Sequence, residues 1–205
     1  HEQEAAEPSP RSVHSVEDAP LYAENEEALR EILRGRRVVT FCHKADVMRL
    51  SDGLFLECAR TVADEFPFIL FDEKPIDNVC LELASDPSQL DVLVMENLFG
   101  DVVSDLCAGL VGGLGVVPGA NLGGKYAVFE AVHGSAPDIA GQGIANPVAL
   151  LLGAAQMLDH FAMVDKAAKL RAAIRQTMAA KDRVTRDLGG DGTTSSFADA
   201  IISRL

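Results

Sequence analysis

The chain has 205 residues, nearly half of them apolar and about a quarter charged, with a formal net charge of −13. That length supports one large domain or two small ones around a hydrophobic core, as in a soluble globular protein. So large a surplus of carboxylates repels phosphate backbones and anionic lipid, which argues against nucleic-acid and membrane roles.

Residues 1–20 are rich in Glu, Ser and Pro, lack periodic apolar positions, and read as a flexible tail or linker. Glu24 to Arg34 predicts a helix with Ala28, Leu29, Ile32 and Leu33 on one face, closed by Gly35. Val38 to Cys42 is a short apolar run expected as a buried strand. Ser51 or Asp52 is expected to cap a helix carrying Leu54, Phe55, Cys58 and Val62. A strand over Phe68 to Phe71, a helix over Asp77 to Ala84 and a strand over Asp91 to Met95 follow. In that helix Val79, Cys80 and Leu83 point inward.

A glycine-rich stretch then runs from Gly109 to Gly124, followed by a strand from Tyr126 to Val132 and a loop from His133 to Asn146. Pro147 fits the first turn of a helix reaching His160. Lys166 to Lys181 predicts another helix, with Leu170, Ile174 and Met178 in line. Asp187 to Thr194 is a polar glycine loop, after which Ser196 is expected to cap a last helix through Ile201 and Ile202. Strands alternating with helices predict an α/β layered fold.

Cys42, Cys58, Cys80 and Cys107 form no Cys-x-x-Cys pair, and each has apolar neighbours. They read as buried free thiols of a reducing compartment, a bacterial cytoplasm or a mitochondrial matrix. The longest apolar run, Val148 to Ala155, is too short to span a bilayer. The sequence opens on His1 with no signal-peptide pattern after it, and is expected to begin inside a longer parent or after processing.

Three features could carry chemistry. Asp101 and Asp105, in NLFGDVVSDLCAGL, lie one helical turn apart on one face. Two such carboxylates suit a hard divalent cation such as Mg²⁺ or Mn²⁺, and Val102, Val103 and Leu106 around them suggest a cleft. The same spacing also describes an N-capping Asp101 and a solvated Asp105. His43-Lys44 follows the first strand, where α/β folds open their ligand crevice, and a lysine there is either an acid–base group or an ordinary surface residue. The loop from His133 to Pro147 offers Gly134, Gly141 and Gly143 for close backbone approach, and Asp138 to accept from ribose hydroxyls. A carboxylate there would repel a 2′-phosphate and favour NAD over NADP. The loop is equally a glycine-rich connector. GANLGGKY, Gly119 to Tyr126, approaches a P-loop but has Tyr126 in place of the hydroxyl and a strand after it.

Taken together, HKADVMRLSDGLFL, ENLFGDVVSDLCAGLVGGLG, FEAVHGSAPDIAGQGIANP and TRDLGGDGTT resemble the isocitrate/isopropylmalate dehydrogenase family over Val38 to Leu205. The resemblance implies a layered mixed sheet with flanking helices, with the amino-terminal part of the fold missing. Residues 21–112 would form a small dimer-forming subdomain bearing the metal aspartates. Residues 113–205 would form the carboxy-terminal part of a large cofactor-binding subdomain. It implies Lys44 as a catalytic lysine acting across a dimer interface, and Asp77 as a metal ligand donated by the neighbouring subunit. Asp101 and Asp105 would be the same subunit's ligands for Mg²⁺ or Mn²⁺. His133, Gly134, Ser135, Ala136, Pro137, Asp138 and Ile139 would form the NAD loop, with Asp138 at the adenosine ribose and Asn146 near the adenine.

The implied partners are a small 2-hydroxy acid and a second subunit in a homodimer or heteromer with a shared site. SDGLFL and DLCAGLVGGLG favour isocitrate, whereas ENLFGD also occurs on the isopropylmalate side. Asp46 stands where the family usually has Asn, near the nicotinamide, and Arg49 where Lys is common. The family's opening glycine motif, its arginine-bearing substrate loop and its tyrosine have no counterpart in residues 1–37. The chain alone is therefore expected to be inactive, for want of a cationic clamp. Rival expectations are a regulatory subunit, a dehydrogenase for isopropylmalate, homoisocitrate or tartrate, and a truncated remnant without catalysis.

Overall fold

A computed structural model describes residues 38–67 and 69–205. The expected tail, the helix over Glu24 to Arg34 and its Gly35 cap lie outside the described residues. The chain divides into two compact units between Glu96 and Asn97.

The first unit is built on a parallel three-stranded sheet of order β2-β1-β3. β1 (Val38–His43) is central, flanked by β2 (Leu70–Pro75) and β3 (Val92–Val94). Parallel neighbours need crossovers, and helices α1 (Ser51–Ala63) and α2 (Ile76–Ser85) provide them. Phe41 stacks at 5.8 Å from Phe55 of α1 and 5.1 Å from Phe71 of β2. The alternate side chains Thr40 and Cys42 are buried, and Val79 and Leu83 are the buried residues of α2.

α1 departs from expectation in two ways. Leu50 precedes it without any side-chain cap, so neither Ser51 nor Asp52 caps it. Its buried face is Asp52, Leu56 and Ala59, while Leu54, Cys58 and Val62 are exposed. The strand expected at Phe68 to Phe71 is instead β2, and its charged residues are held by distant partners. Asp72 accepts from Thr40 Oγ1 at 3.1 Å, Glu73 from Arg60 Nε at 2.6 Å, and Lys74 donates to Glu82 at 2.6 Å.

In the second unit α3 (Asn97–Val111) leads through a short 3-10 turn into the antiparallel pair β4 (Pro118–Leu122) and β5 (Ala127–Ala131). The GANLGGKY stretch is therefore a strand and hairpin turn, closed by Gly123 N–H donating to the Tyr126 carbonyl at 2.9 Å. α4 (Val148–His160) packs on this hairpin. Gly153 makes that approach possible, since a Cβ there would lie 3.0 Å from the Glu130 carbonyl oxygen. α5 (Val164–Ala179) and α6 (Thr194–Ile202) complete the core of Val148, Ala173, Ile174, Val184, Phe197 and Ile201. α6 is capped by Thr193, not Ser196: Thr193 Oγ1 accepts from Ser196 N–H, and Ser196 Oγ accepts from Thr193 N–H. Ser196 is the third helical residue of this reciprocal box.

The four cysteines are not all buried as expected: Cys42 is buried, Cys58 exposed, and Cys80 and Cys107 intermediate. Burial is the main cause that pushes the Cys42 thiol up from 9.0 to about 11. The folded chain therefore holds this proton more tightly than the unfolded one. Its contribution to stability is complete below about 9 and is lost as pH rises towards about 11. With a thiol–disulfide reagent at about pH 8, Cys58 should react in the native chain and Cys42 only after denaturant is added. Equal reaction rates in peptide mapping would contradict the packing of β1.

Candidate active site

The register of the first unit creates a junction at one end of its sheet. Because β1 and β2 are parallel and His43 pairs with Pro75, both strands end side by side. Lys44 follows the first strand, and Asp77 lies in the first turn of α2, which follows the second directly. Lys44 Nζ donates to Asp77 Oδ1 at 2.9 Å across a separation of 33 residues. Asp46 Oδ2 lies 3.2 Å from the same ammonium.

Hydrogen bonding to Asp77, then to Asp46, raises the Lys44 amine above its usual value. The Lys44 hydrogen bond holds the Asp77 carboxyl below its own. Both groups are charged at neutral pH. The pair's contribution fades as pH falls through the depressed carboxyl, and again as it rises through the elevated amine. Asp77 has much of its side chain exposed, so screening keeps the effect on stability small.

The backbone of Lys44 is held on both sides. Its carbonyl accepts from Val47 N–H at 2.9 Å and Met48 N–H at 2.8 Å, and its N–H donates to Asp52 Oδ2 at 2.6 Å. The next amide, Ala45 N–H, donates to His43 Nδ1 at 3.1 Å. In the sequence Asp52 stands out only as a candidate helix cap. Only its position eight residues after Lys44, on the first turn of the next helix, hints at a reach back.

In the second unit, Asp101 and Asp105 are both exposed on α3, one turn apart. Neither carboxylate has a protein partner among the described residues. Of the apolar residues beside them, Val103 is buried, whereas Val102 is 61% and Leu106 37% exposed. Free carboxylate oxygens at this spacing fit a hard, oxygen-seeking divalent cation. Among the described residues no group of three or more His, Cys, Asp or Glu is gathered to hold a metal. By themselves Asp101 and Asp105 would offer a cation two ligands, not a closed site.

The loop of His133 to Asn146 is exposed through Ser135, Pro137 and Asp138, with Ile139 partly buried. Gly141 and Gly143 take φ of 77° and 66°, and Ala136 enters the left-handed region at 42° ahead of the 3-10 turn Pro137–Ile139. Glycine is required at two of these bends, whereas Gly134 has no positive φ. His133 Nδ1 sits 2.9 Å from the Gly134 carbonyl, and Gln142 Nε2 donates to the Asp138 carbonyl at 2.8 Å. The Asp138 carboxylate stays free of protein partners among the described residues, which fits an acceptor for sugar hydroxyls.

Asn146 is fixed at both ends. Its Oδ1 accepts from Val148 N–H at 3.0 Å, and its Nδ2 donates to Asp187 Oδ2 at 2.8 Å. Thr194 holds the loop from the other side, its N–H donating to the Gly143 carbonyl at 2.8 Å and its Oγ1 to the Ala145 carbonyl at 2.6 Å. The TRDLGGDGTT motif therefore supports the loop through Asp187 and Thr194. Asn146 keeps one N–H and one lone pair for a ligand.

A family model described as isocitrate/isopropylmalate dehydrogenase matches residues 23–201. Isocitrate dehydrogenase [NAD] subunit 2, mitochondrial, of Schizosaccharomyces pombe is 51% identical over 174 residues, covering 83% of this chain and 46% of that protein. The human isocitrate dehydrogenase [NAD] subunit alpha, mitochondrial, is 53% identical over 171 residues, covering 83% and 47%. The chain thus spans about half the length of the curated relatives it matches. Among solved structures, isocitrate dehydrogenase from Methylococcus capsulatus superposes with a TM-score of 0.78 at 44% identity, covering 87% of this chain and 54% of that one.

Proposed function

Given that the chain belongs to the isocitrate/isopropylmalate dehydrogenase family, we propose that it carries the metal half and part of the cofactor half of an NAD-dependent isocitrate dehydrogenase. The complete enzyme would oxidise and decarboxylate isocitrate to 2-oxoglutarate and CO₂, reducing NAD. The observation that carries this reading is the 2.9 Å contact of Lys44 with Asp77, two residues from separate motifs that meet at the ends of parallel strands.

The division of labour in the fold supports it. Lys44 and Asp77, the residues that would act across a subunit interface, both belong to the first unit. Asp101, Asp105 and the cofactor loop, which would act within their own subunit, belong to the second. Asp101 and Asp105 would hold Mg²⁺ or Mn²⁺, with the partner subunit's Asp77 as third ligand. When bound, the ion supplies Lewis-acid polarisation of the substrate hydroxyl and its neighbouring carboxylate, and NAD supplies the hydride acceptor. The Lys44 ammonium, charged at neutral pH, belongs to the relay that returns a proton to the carbon losing CO₂. Asp138 would accept from the adenosine ribose hydroxyls and repel a 2′-phosphate, and Asn146 would offer its remaining N–H and lone pair to the adenine.

The eukaryotic relatives are named as mitochondrial and as numbered or lettered subunits. We assign this chain the same compartment and an assembly with a second subunit, of its own kind or a related one. Neither a nucleic acid nor a membrane enters this reading, and among the described residues no helix is long and apolar enough to cross a membrane.

The test joins the chain to the amino-terminal half of the Schizosaccharomyces pombe subunit and follows NADH formation. Mn²⁺-dependent turnover of isocitrate is expected, with none from isopropylmalate or tartrate and none from the chain alone. Turnover of isopropylmalate instead would move the chain within its family. Titration of the chain alone with NAD should release heat in the presence of magnesium. No heat with either ligand would mark a catalytically silent remnant.

A further inference from the structure

Asp52 has no place in the chemistry outlined above, yet it is wholly buried. A buried carboxylate is costly unless its oxygens find donors. Both do: Oδ2 accepts from Lys44 N–H at 2.6 Å and Oδ1 from Ser51 Oγ at 3.0 Å. The short bond to an amide is charge-assisted, the stronger kind of hydrogen bond, and the first turn of α1 favours a negative charge. The contact also closes a ring. Lys44 C=O accepts from Met48 N–H, Met48 C=O accepts from Asp52 N–H at 3.1 Å, and the Asp52 side chain returns to Lys44 N–H.

We propose that Asp52 is the positioning residue for Lys44: by locking the Lys44 backbone to the first turn of α1, it aims the ammonium at Asp77. Without the lock, the lysine stem would leave from a loop held only through the Lys44 carbonyl. An ammonium on four flexible carbons would then lose much of its residence on Asp77. This role rests on the reading of Lys44 as the acid–base group, but the placement itself can be read without any catalysis.

Amine labelling of the full chain with mass spectrometry reads the placement, taking Lys74, held by Glu82 in the same unit, as internal reference. Asp52→Ala should raise Lys44 labelling relative to Lys74 by a factor on the order of 10, the loss of a charge-assisted hydrogen bond. Asp52→Asn keeps a carbonyl oxygen for Lys44 N–H and an N–H₂ for Ser51 but not the charge, so its labelling should lie much nearer the parent than Asp52→Ala. A general loosening of the unit would expose both lysines and could not be repaired by Asn. Unchanged Lys44 labelling in a folded Asp52→Ala chain overturns the proposal, as does Asp52→Asn behaving like Asp52→Ala. Should Asp52→Ala not fold, amide exchange in the unaltered chain decides. Lys44 N–H should be protected although it lies just past the strand, and exchange at the unprotected rate overturns the lock. In the completed enzyme, Lys44→Met without loss of turnover would remove the acid–base reading of Lys44, while the labelling result would still establish that Asp52 places it.

Discussion

Gly192→Ala is expected to destabilise the second unit by about 3 kcal/mol or more, the scale of forced overpacking against a backbone that cannot yield. A Cβ at Gly192 would fall closer than 3.0 Å to the carbonyl carbon and oxygen of Arg183, which are main-chain atoms rather than a flexible side-chain end. The segment it strikes has little freedom. Gly192 N–H donates to the Val184 carbonyl at 2.9 Å, Val184 is buried in the core with Phe197 and Ile201, and Asp182 is paired with Arg204 at 2.9 Å. Relief therefore means pulling Val184 from the core or moving Thr193, the cap of α6. Urea denaturation should show a lower midpoint at unchanged slope. Gly124→Ala, at a hairpin position with nothing within 4 Å and no positive φ, should stay within about 0.5 kcal/mol of the parent. Equal midpoints for the two variants would show that the 183–192 loop yields freely. The same loop carries Asp187, which holds Asn146, so Gly192→Ala should also weaken NAD binding wherever the protein stays folded.

The sequence displayed the inward stripe of α2, because burial of Val79 and Leu83 follows hydrophobicity, and it displayed β1 and β3 as apolar runs, although the buried side chains of β1 are Thr40 and Cys42 and Val92 of β3 is exposed. It misled where burial follows something else. On α1, Leu54, Cys58 and Val62 form the more apolar stripe, but the buried side is the one with Asp52, whose carboxylate accepts from Lys44 N–H. On β2, Asp72, Glu73 and Lys74 hide a strand, since each finds its counterpart on a different element. At α6 two hydroxyls three residues apart could each have been the cap, and only the backbone at Thr193 decides between them. The candidate site shows the same pattern. Its residue types were legible as motifs, whereas the meeting of Lys44 with Asp77 depends on the parallel register of His43 with Pro75. That register required β2 to be placed correctly. Asp187 and Thr194 were visible only as part of a polar loop, because their work is to hold a segment more than 40 residues earlier in the chain.

Asp101→Asn and Asp105→Asn should each lower divalent-metal affinity and metal-dependent turnover of the completed enzyme by at least about 100-fold, since loss of an outer-shell partner alone costs 10–100-fold. Neither change should disturb the fold. Both side chains are exposed, neither has a protein partner among the described residues, and amide for carboxylate is nearly isosteric. The unfolding free energy from urea denaturation should therefore change by less than about 0.5 kcal/mol. Loss of activity without loss of stability separates a ligand from a helix-capping or solubilising aspartate. The double variant sharpens the distinction. Two carboxylates that share one ion are not independent, so the second substitution should cost less than the first. Two solvated aspartates that act separately would instead give additive and small effects. Manganese titration followed by electron paramagnetic resonance reads the affinity without turnover. Raising Mn²⁺ should restore part of the rate in each single variant, because the remaining carboxylate still offers one oxygen ligand on the same face of α3. Undiminished metal affinity in the double variant would remove Asp101 and Asp105 from the metal site altogether. The proposed chemistry would then need a cation site built on other residues, with Asp77 the one proposed ligand left in this chain.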